Sequence, residues 1–218
     1  SLVYMQNSGI GNAINPLLSL ADAKVYGVPM LLMVGWRGEP GVKDEPQHVK
    51  QGAVMIDLLD ACQIPHTIIG ASTKNIDQII QQAVTRTIES KQPYLLLIQK
   101  GTFDSYALKT KQSDIADFSR GEAISKILCA SDEHDVFVST TGMTSRELFE
   151  LRESYKQGHN KDFLTVGSMG HASMIALGVA QGTNKHVFCI DGDGACLMHL
   201  GNFTTVGMSK PKNLIHIL

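Results

Sequence analysis

A chain of 218 residues, 43% hydrophobic and 18% charged, has apolar surface enough for one large core or two small ones, and too much for a disordered tail. Nineteen Lys and Arg against 21 Asp and Glu leave a formal charge of −2, which speaks against nucleic acid as a partner. The apolar runs fall short of the roughly 20 residues of a membrane span. The four cysteines (Cys62, Cys129, Cys189, Cys196) show no C-x-x-C pairing and are expected as reduced core thiols of a cytoplasmic protein.

In chain order, residues 2–5 read as the end of a buried strand. Residues 12–26 follow as a helix with Ile14, Leu17, Leu18 and Ala21 on one face. A strand at 29–36 leads through a Gly-, Pro- and charge-rich loop, 37–46, into a helix at 47–62. Its Val49, Ala53, Ile56 and Leu59 recur at helical spacing. Next come a short strand at 66–69, a helix capped by Ser72 and running to 90, and an apolar strand at 94–99. Residues 102–119 are polar and aperiodic, as a linker would be. The rhythm then repeats: helix 121–129, strand 136–139, helix 145–155, strand 163–166, helix 172–180, strand 186–190, helix 195–208 and strand 213–218. Strands alternating with helices of this length imply parallel βαβ units covered on both faces. The expectation is two similar α/β domains, 1–101 and 120–218, each a parallel sheet between two helix layers. A chain that begins and ends in a strand is also expected to be a fragment, incomplete at both ends.

Ligands of parallel α/β sheets collect where strands end and helices begin. Four such places carry glycine: residues 7–12 (NSGIGN), 140–144 (TTGMT), 167–170 (GSMG) and 191–194 (DGDG). Backbone N–H groups at helix starts suit phosphate, and an aspartate between glycines suits a hard cation. Together they point to a metal-bound diphosphate. A dinucleotide fingerprint fails, because Ile14 and Leu197 stand where a third small residue belongs. A calcium loop fails as well, with Ala195 and Cys196 in ligand and glycine places and Asn202 in place of the closing Glu. The plain alternative is that the Asp-Gly pairs only make turns. No His pair has metal-ligand spacing and no G-x-S-x-G elbow is present. His171 is expected to be satisfied locally, and His199 and His216 to be structural.

Residues 187–194 (VFCIDGDG) resemble the strand and G-D-G opening of the thiamine-diphosphate motif. The first half of the chain is similar to the pyrimidine-binding domain of that family and the second half to its diphosphate-binding domain. More narrowly, residues 6–12 (QNSGIGN), 35–38 (GWRG) and 43–48 (KDEPQH) are similar to phosphonopyruvate decarboxylases, with sulfopyruvate decarboxylases as close relatives.

The resemblance implies the thiamine-diphosphate-binding fold, thiamine diphosphate and Mg²⁺ as cofactors, and decarboxylation of 3-phosphonopyruvate or another small 2-oxo acid with an anionic tail. It implies Asp193 as a Mg²⁺ ligand, with Gly192 in the same turn and the N–H groups of Gly194 and Ala195 on the diphosphate. Thr141, Gly142 and Met143 would line the diphosphate from the opposite loop. Met169 would wedge the cofactor into a bent shape, with Ser168 beside it and the main chain of Gly167 and Met169 on the aminopyrimidine. Asn7, Arg37, Lys43 and His48 are the substrate candidates, because Arg, Lys or a helix start would hold a phosphonate. His48 is also a catalytic candidate. The family's glutamate would lie upstream of Ser1 and its second metal ligand, an asparagine, beyond Leu218. The resemblance further implies a homodimer or higher assembly, each site formed by one subunit's first domain and another's second. A non-catalytic cofactor-binding fragment is the reading from a different class.

Overall fold

The computed structural model describes residues 1–109 and 118–218, and the chain divides into two units, Ser1–Lys109 and Thr110–Leu218. Of the expected linker, residues 110–117 lie outside the described residues.

The first unit holds β1 (Leu2–Gln6), a 3-10 turn (Asn7–Gly9), α1 (Ile10–Ser19), β2 (Met30–Gly35), α2 (Pro46–Ala53), α3 (Met55–Ala61), β3 (His66–Ile69), α4 (Ile76–Ser90) and β4 (Pro93–Ile98). Its four strands pair parallel in the order β1-β2-β4-β3. Every residue of β4 is buried, as a central parallel strand covered on both faces requires. Leu95 and Leu97 pack with Ile10, Leu17, Met55 and Leu59 on one side of the sheet. Tyr94, Leu96 and Ile98 pack with Ile69 and Ala83 on the other. The unit is therefore three layers, with α1 to α3 on one face and α4 on the other.

Three expectations for this unit need correction. The first helix stops at Ser19, seven residues before Tyr26. Beyond it the Asp22 carboxylate accepts the Lys24 N–H at 2.8 Å and the chain turns, so Leu18 stays 39% exposed instead of joining the buried face. The helix expected at 47–62 is two helices that meet at Val54, and its buried face is Gly52, Met55 and Leu59, with Val49 exposed. The face is rotated because the loop after β2 presses its backbone onto α2: a Cβ on Gly52 would lie 1.9 Å from the Gly38 carbonyl oxygen. Helix α4 starts at Ile76 behind Asn75, not at Ser72, because the Thr73 hydroxyl is engaged in a turn, accepting the Gly70 N–H at 2.8 Å.

The second unit holds α5 (Arg120–Ala130), β5 (Val136–Ser139), α6 (Met143–Ser154), β6 (Asp162–Leu164), α7 (Ala172–Gly182), β7 (Val187–Ile190), α8 (Asp193–Met198), α9 (Asn202–Ser209) and β8 (Leu214–Ile217). The strands are again parallel, in the order β6-β5-β7-β8. Val187 and Cys189 face α7, where Ala172, Ala176 and Ala180 form a small-residue stripe. The opposite face buries Phe137 and Ile190 under Ile124, Leu128 and Leu148, with Phe137 stacked on Phe188 at 5.0 Å. The Arg152 guanidinium lies 4.8 Å from the Phe137 ring and pairs with the fully buried Asp162 carboxylate at 2.9 Å. A capping box of Ser119 and Glu122 begins α5. The helix expected at 195–208 is divided into α8 and α9 around Gly201. All four cysteines are free, and Cys129 is exposed on α5 rather than in the core.

Gly52→Ala should lower stability by about 1–3 kcal/mol through overpacking. The helical Gly207, with nothing near its missing Cβ, should instead gain about 0.5–1 kcal/mol on substitution by Ala. Denaturant titration of the two variants checks both signs.

Candidate functional site

In the second unit three strand-to-helix turns rise from one sheet edge: residues 140–142 after β5, 165–171 after β6 and 191–192 after β7. Hydroxyls tie the first two together. The buried Ser145 hydroxyl lies 2.7 Å from the Thr140 carbonyl, 3.0 Å from the Thr165 carbonyl and 2.8 Å from Ser139 Oγ. Thr165 Oγ1 donates to the Ser139 carbonyl at 2.7 Å, and the Thr141 hydroxyl donates to the Val166 carbonyl. Gly142 caps α6 at φ +89°, where an L side chain would be strained, and no side chain caps that helix.

The second and third turns meet through glycines. A Cβ on Gly194 would lie 3.3 Å from the terminal methyl of Met169, so the Met169 tip sits over the turn into α8. Gly170, at φ +91°, lies so close to α8 that a Cβ would be 2.9 Å from the Ala195 carbonyl and 2.5 Å from the His199 ring. Asn202 Nδ2 donates to the Gly170 carbonyl at 3.0 Å, and the rings of His171 and His199 are 4.3 Å apart. Asp193 is exposed, and one of its oxygens accepts the Gly194 N–H at 2.7 Å. Met143 and Met169 are also exposed at this edge, at 53% and 40%.

Asp191, two residues before Asp193, is buried. Burial works to raise its carboxyl, but His216 Nε2 at 3.2 Å and the Gly192 N–H at 2.9 Å hold it net below the ordinary carboxylate value. The Thr140 hydroxyl faces the same carboxylate without making a hydrogen bond of normal geometry. Cys189 is pushed far above an ordinary thiol by burial and then by the Asp191 charge. Cys196 is pushed up to about 11 by the same two causes.

The first unit gathers a second polar edge at the ends of β1, β2 and β4. The Asn7 side chain is buried and pairs with the Arg37 backbone in both directions, donating to its carbonyl at 2.8 Å and accepting its N–H at 2.9 Å. The Arg37 guanidinium in turn makes a bidentate pair with Asp44, whose carboxylate also accepts the Gly38 and Glu45 N–H groups at 2.7 and 2.8 Å. The Arg37 hydrogen bonds, then the Gly38 and Glu45 N–H groups, and last the Arg37 charge hold the Asp44 carboxyl far below the usual range against the opposing effect of burial. Trp36 Nε1 donates to the Gly52 carbonyl at 3.0 Å and pins the same loop to α2. In the first turn of α2, His48 Nδ1 and Gln47 Oε1 are buried without a hydrogen-bond partner.

Residues 140–218 match the thiamine pyrophosphate enzyme C-terminal TPP binding domain. Across nearly the whole chain, 98%, it is 33% identical to a phosphonopyruvate decarboxylase of Streptomyces viridochromogenes, covering 56% of that protein. A phosphonopyruvate decarboxylase of Streptomyces hygroscopicus is 34% identical over 98% of this chain and 55% of its own length. Over nearly its whole length the chain is thus similar to thiamine pyrophosphate enzymes, and residues 140–218 match their C-terminal TPP binding domain. A sulfopyruvate decarboxylase of Methanosarcina acetivorans is 27% identical over 99% of this chain and 59% of its own. The chain thus spans little more than half the length of the curated relatives it matches.

This chain brings Thr141, Gly142, Met143, Gly167, Ser168, Met169, Gly192, Asp193, Gly194 and Ala195 to one sheet edge. Some of these groups are already engaged: the Thr141 hydroxyl, the Gly194 N–H, and the Ser168 carbonyl, which accepts the His171 N–H at 3.1 Å. In the first unit Asn7 and Arg37 are internally satisfied, whereas Lys43 is exposed. Ser145, Asp191 and Asn202 take part in the second unit's edge although none was a candidate from the sequence. Asp191 stood inside the DGDG motif; Ser145 and Asn202 left no local signal, since their partners lie on other elements.

Asp44→Asn should lower stability at pH 7 by about 1–2 kcal/mol, the partly exposed Arg37 limiting the loss. The folded carboxyl titrates below its unfolded value of about 3.9. Its stabilisation is therefore complete above that pH and is lost as pH falls through the folded value. Urea titrations along a pH series should show the gap between wild type and variant narrowing below about pH 4.

Proposed function

We propose that this chain forms part of a thiamine-diphosphate- and Mg²⁺-dependent decarboxylase that converts 3-phosphonopyruvate to phosphonoacetaldehyde and CO₂. The observation that carries the reading is the 33–34% identity to two phosphonopyruvate decarboxylases over 98% of the chain.

The residues of the second unit fit the cofactor. Helices α6 and α8 both start behind glycine N-caps with no capping side chain, and apart from the Gly194 N–H, which the Asp193 carboxylate accepts, their first N–H groups offer donors at the shared edge. The exposed Asp193 offers a hard oxygen suited to Mg²⁺. Thiamine diphosphate, when bound, supplies the electron sink for loss of the carboxylate. This chain's residues would hold and shape it: Gly192 to Ala195 and Thr141 to Met143 would take the diphosphate, Met169 would support the bend, and Gly167 and Ser168 would border the pyrimidine. The apolar Met143, Val166 and Met169 side chains would thin the water around the reacting groups.

The anionic substrate tail falls to the first unit. Because Asp44 and the Asn7 pairing already occupy Arg37 and Asn7, their role is to shape the loop. Lys43, exposed on that loop, and His48, with its unpartnered Nδ1 in the first turn of α2, are the groups that meet the tail. The assembly is a homodimer or larger, acting in the cytoplasm. The described residues contain no helix long and apolar enough to cross a membrane. Sulfopyruvate is the second reading, favoured by the Methanosarcina relative that aligns with 99% of the chain.

CO₂ release by the protein carrying this chain, with phosphonopyruvate, sulfopyruvate and pyruvate offered in turn, tests the proposal. Turnover of phosphonopyruvate is expected, with Asp193→Ala weakening Mg²⁺ by roughly 10–100-fold or more. Preference for sulfopyruvate would select the second reading, and no turnover of any of the three acids would overturn both.

A further inference from the structure

The register of the second sheet assembles a group of metal-binding side chains that sequence spacing conceals. Cys189 on β7 and His216 on β8 are paired Cα to Cα, so their side chains leave the sheet on the same face. Asp191 follows Cys189 by two residues and returns to that face. The Cys189 sulfur, an Asp191 oxygen and a His216 ring nitrogen all lie within 4.8 Å of one another. His216 Nε2 and Asp191 Oδ2 are 3.2 Å apart, a spacing two ligands can keep around one tetrahedral ion. The side chains of Asp191 and His216 are 1% and 19% exposed, and Cys189 is fully buried. The Phe203 ring lies edge-on to His216 at 4.9 Å.

We propose that Cys189, Asp191 and His216 form a site for a borderline-soft divalent cation of the Zn²⁺ class, separate from the Mg²⁺ position at Asp193. Thiolate, imidazole and carboxylate are the donors zinc accepts, whereas Mg²⁺ and Ca²⁺ require a shell of oxygens. Binding releases the Cys189 thiol proton to solvent. His216 ligates through Nε2 with its proton on Nδ1, and Asp191 Oδ2 exchanges the His216 hydrogen bond for the ion. Asp191 Oδ1 keeps the Gly192 N–H, so the ion would tie β7 and β8 together directly beneath the turn that carries Asp193. The inference does not depend on the decarboxylase reading.

Co²⁺ is the probe, added to the full chain in excess Mg²⁺ and without thiamine diphosphate. The expected result is one Co²⁺ per chain, with thiolate-to-cobalt charge transfer and intense tetrahedral visible bands, all displaced by Zn²⁺. Cys189→Ser and His216→Gln should each weaken binding by at least the roughly 10–100-fold known for outer-shell partners alone, and Cys189→Ser should also lower the charge-transfer intensity. Asp193→Ala should leave the spectrum unchanged. Circular dichroism checks folding; if the buried Cys189→Ser fails to fold, His216→Gln decides. A pale octahedral spectrum without charge transfer, or a signal that survives in the folded variants and vanishes in Asp193→Ala, overturns the proposal.

Discussion

Parallel, in-register pairing is the constraint on which the rest of the molecule depends. β5 and β7 end level, Ser139 beside Ile190, and β7 and β8 end level, Ile190 beside Ile217. In the other unit Gln6, Gly35, Ile98 and Ile69 end together in the same way. Each chain segment that leaves a strand therefore emerges at a common edge, and polar groups far apart in sequence become neighbours. The pairing is enforced by burial. β4 is buried at every residue, and such strands are stable only between two helix layers. The helices that supply those layers start at the same edge, with their N-terminal N–H groups toward it.

Close backbone approach is the second ingredient. Gly38 and Gly52 let a loop and a helix touch where any side chain would collide with a carbonyl, and Gly170 does the same against α8. Polar groups drawn in by these contacts then need partners. Asn7 meets this by pairing with both backbone groups of Arg37, and Ser145 by bridging the loops after β5 and β6. The loops at each edge are held less by apolar packing than by such paired hydrogen bonds, which fix direction as well as distance. This explains why Arg37, which reads as a free anion-binding cation, is bound to Asp44 on its own loop.

Legibility in the sequence followed the range of the interactions. β3 and β5 stand at the expected residues, because a short apolar run between turn residues is a local property. The helix faces were less secure: the periodic set of Val49, Ala53, Ile56 and Leu59 gave way to Gly52, Met55 and Leu59, since the loop from β2 chose which side of α2 to approach. The division of α8 from α9 was hidden for a similar reason. The glycine turns were legible as places, through their position after strands. Their contents were not: the union of Met169 with Gly194, and of Asn202 with Gly170, spans up to 32 residues.

The sequence by itself determined two α/β units with parallel sheets, the strands that form them, and the glycine-marked turns where chemistry would gather. Apolar run length, period and glycine placement are local and leave their mark residue by residue. Only the tertiary structure decided which charges remain free and which donors share a space. It joined Arg37 to Asp44, left His48 Nδ1 unpartnered, and set Cys189, Asp191 and His216 within 4.8 Å. Those outcomes depend on strand register and on which helix face meets a loop. Both are settled by the packing of the whole unit, so no single segment carries their signature.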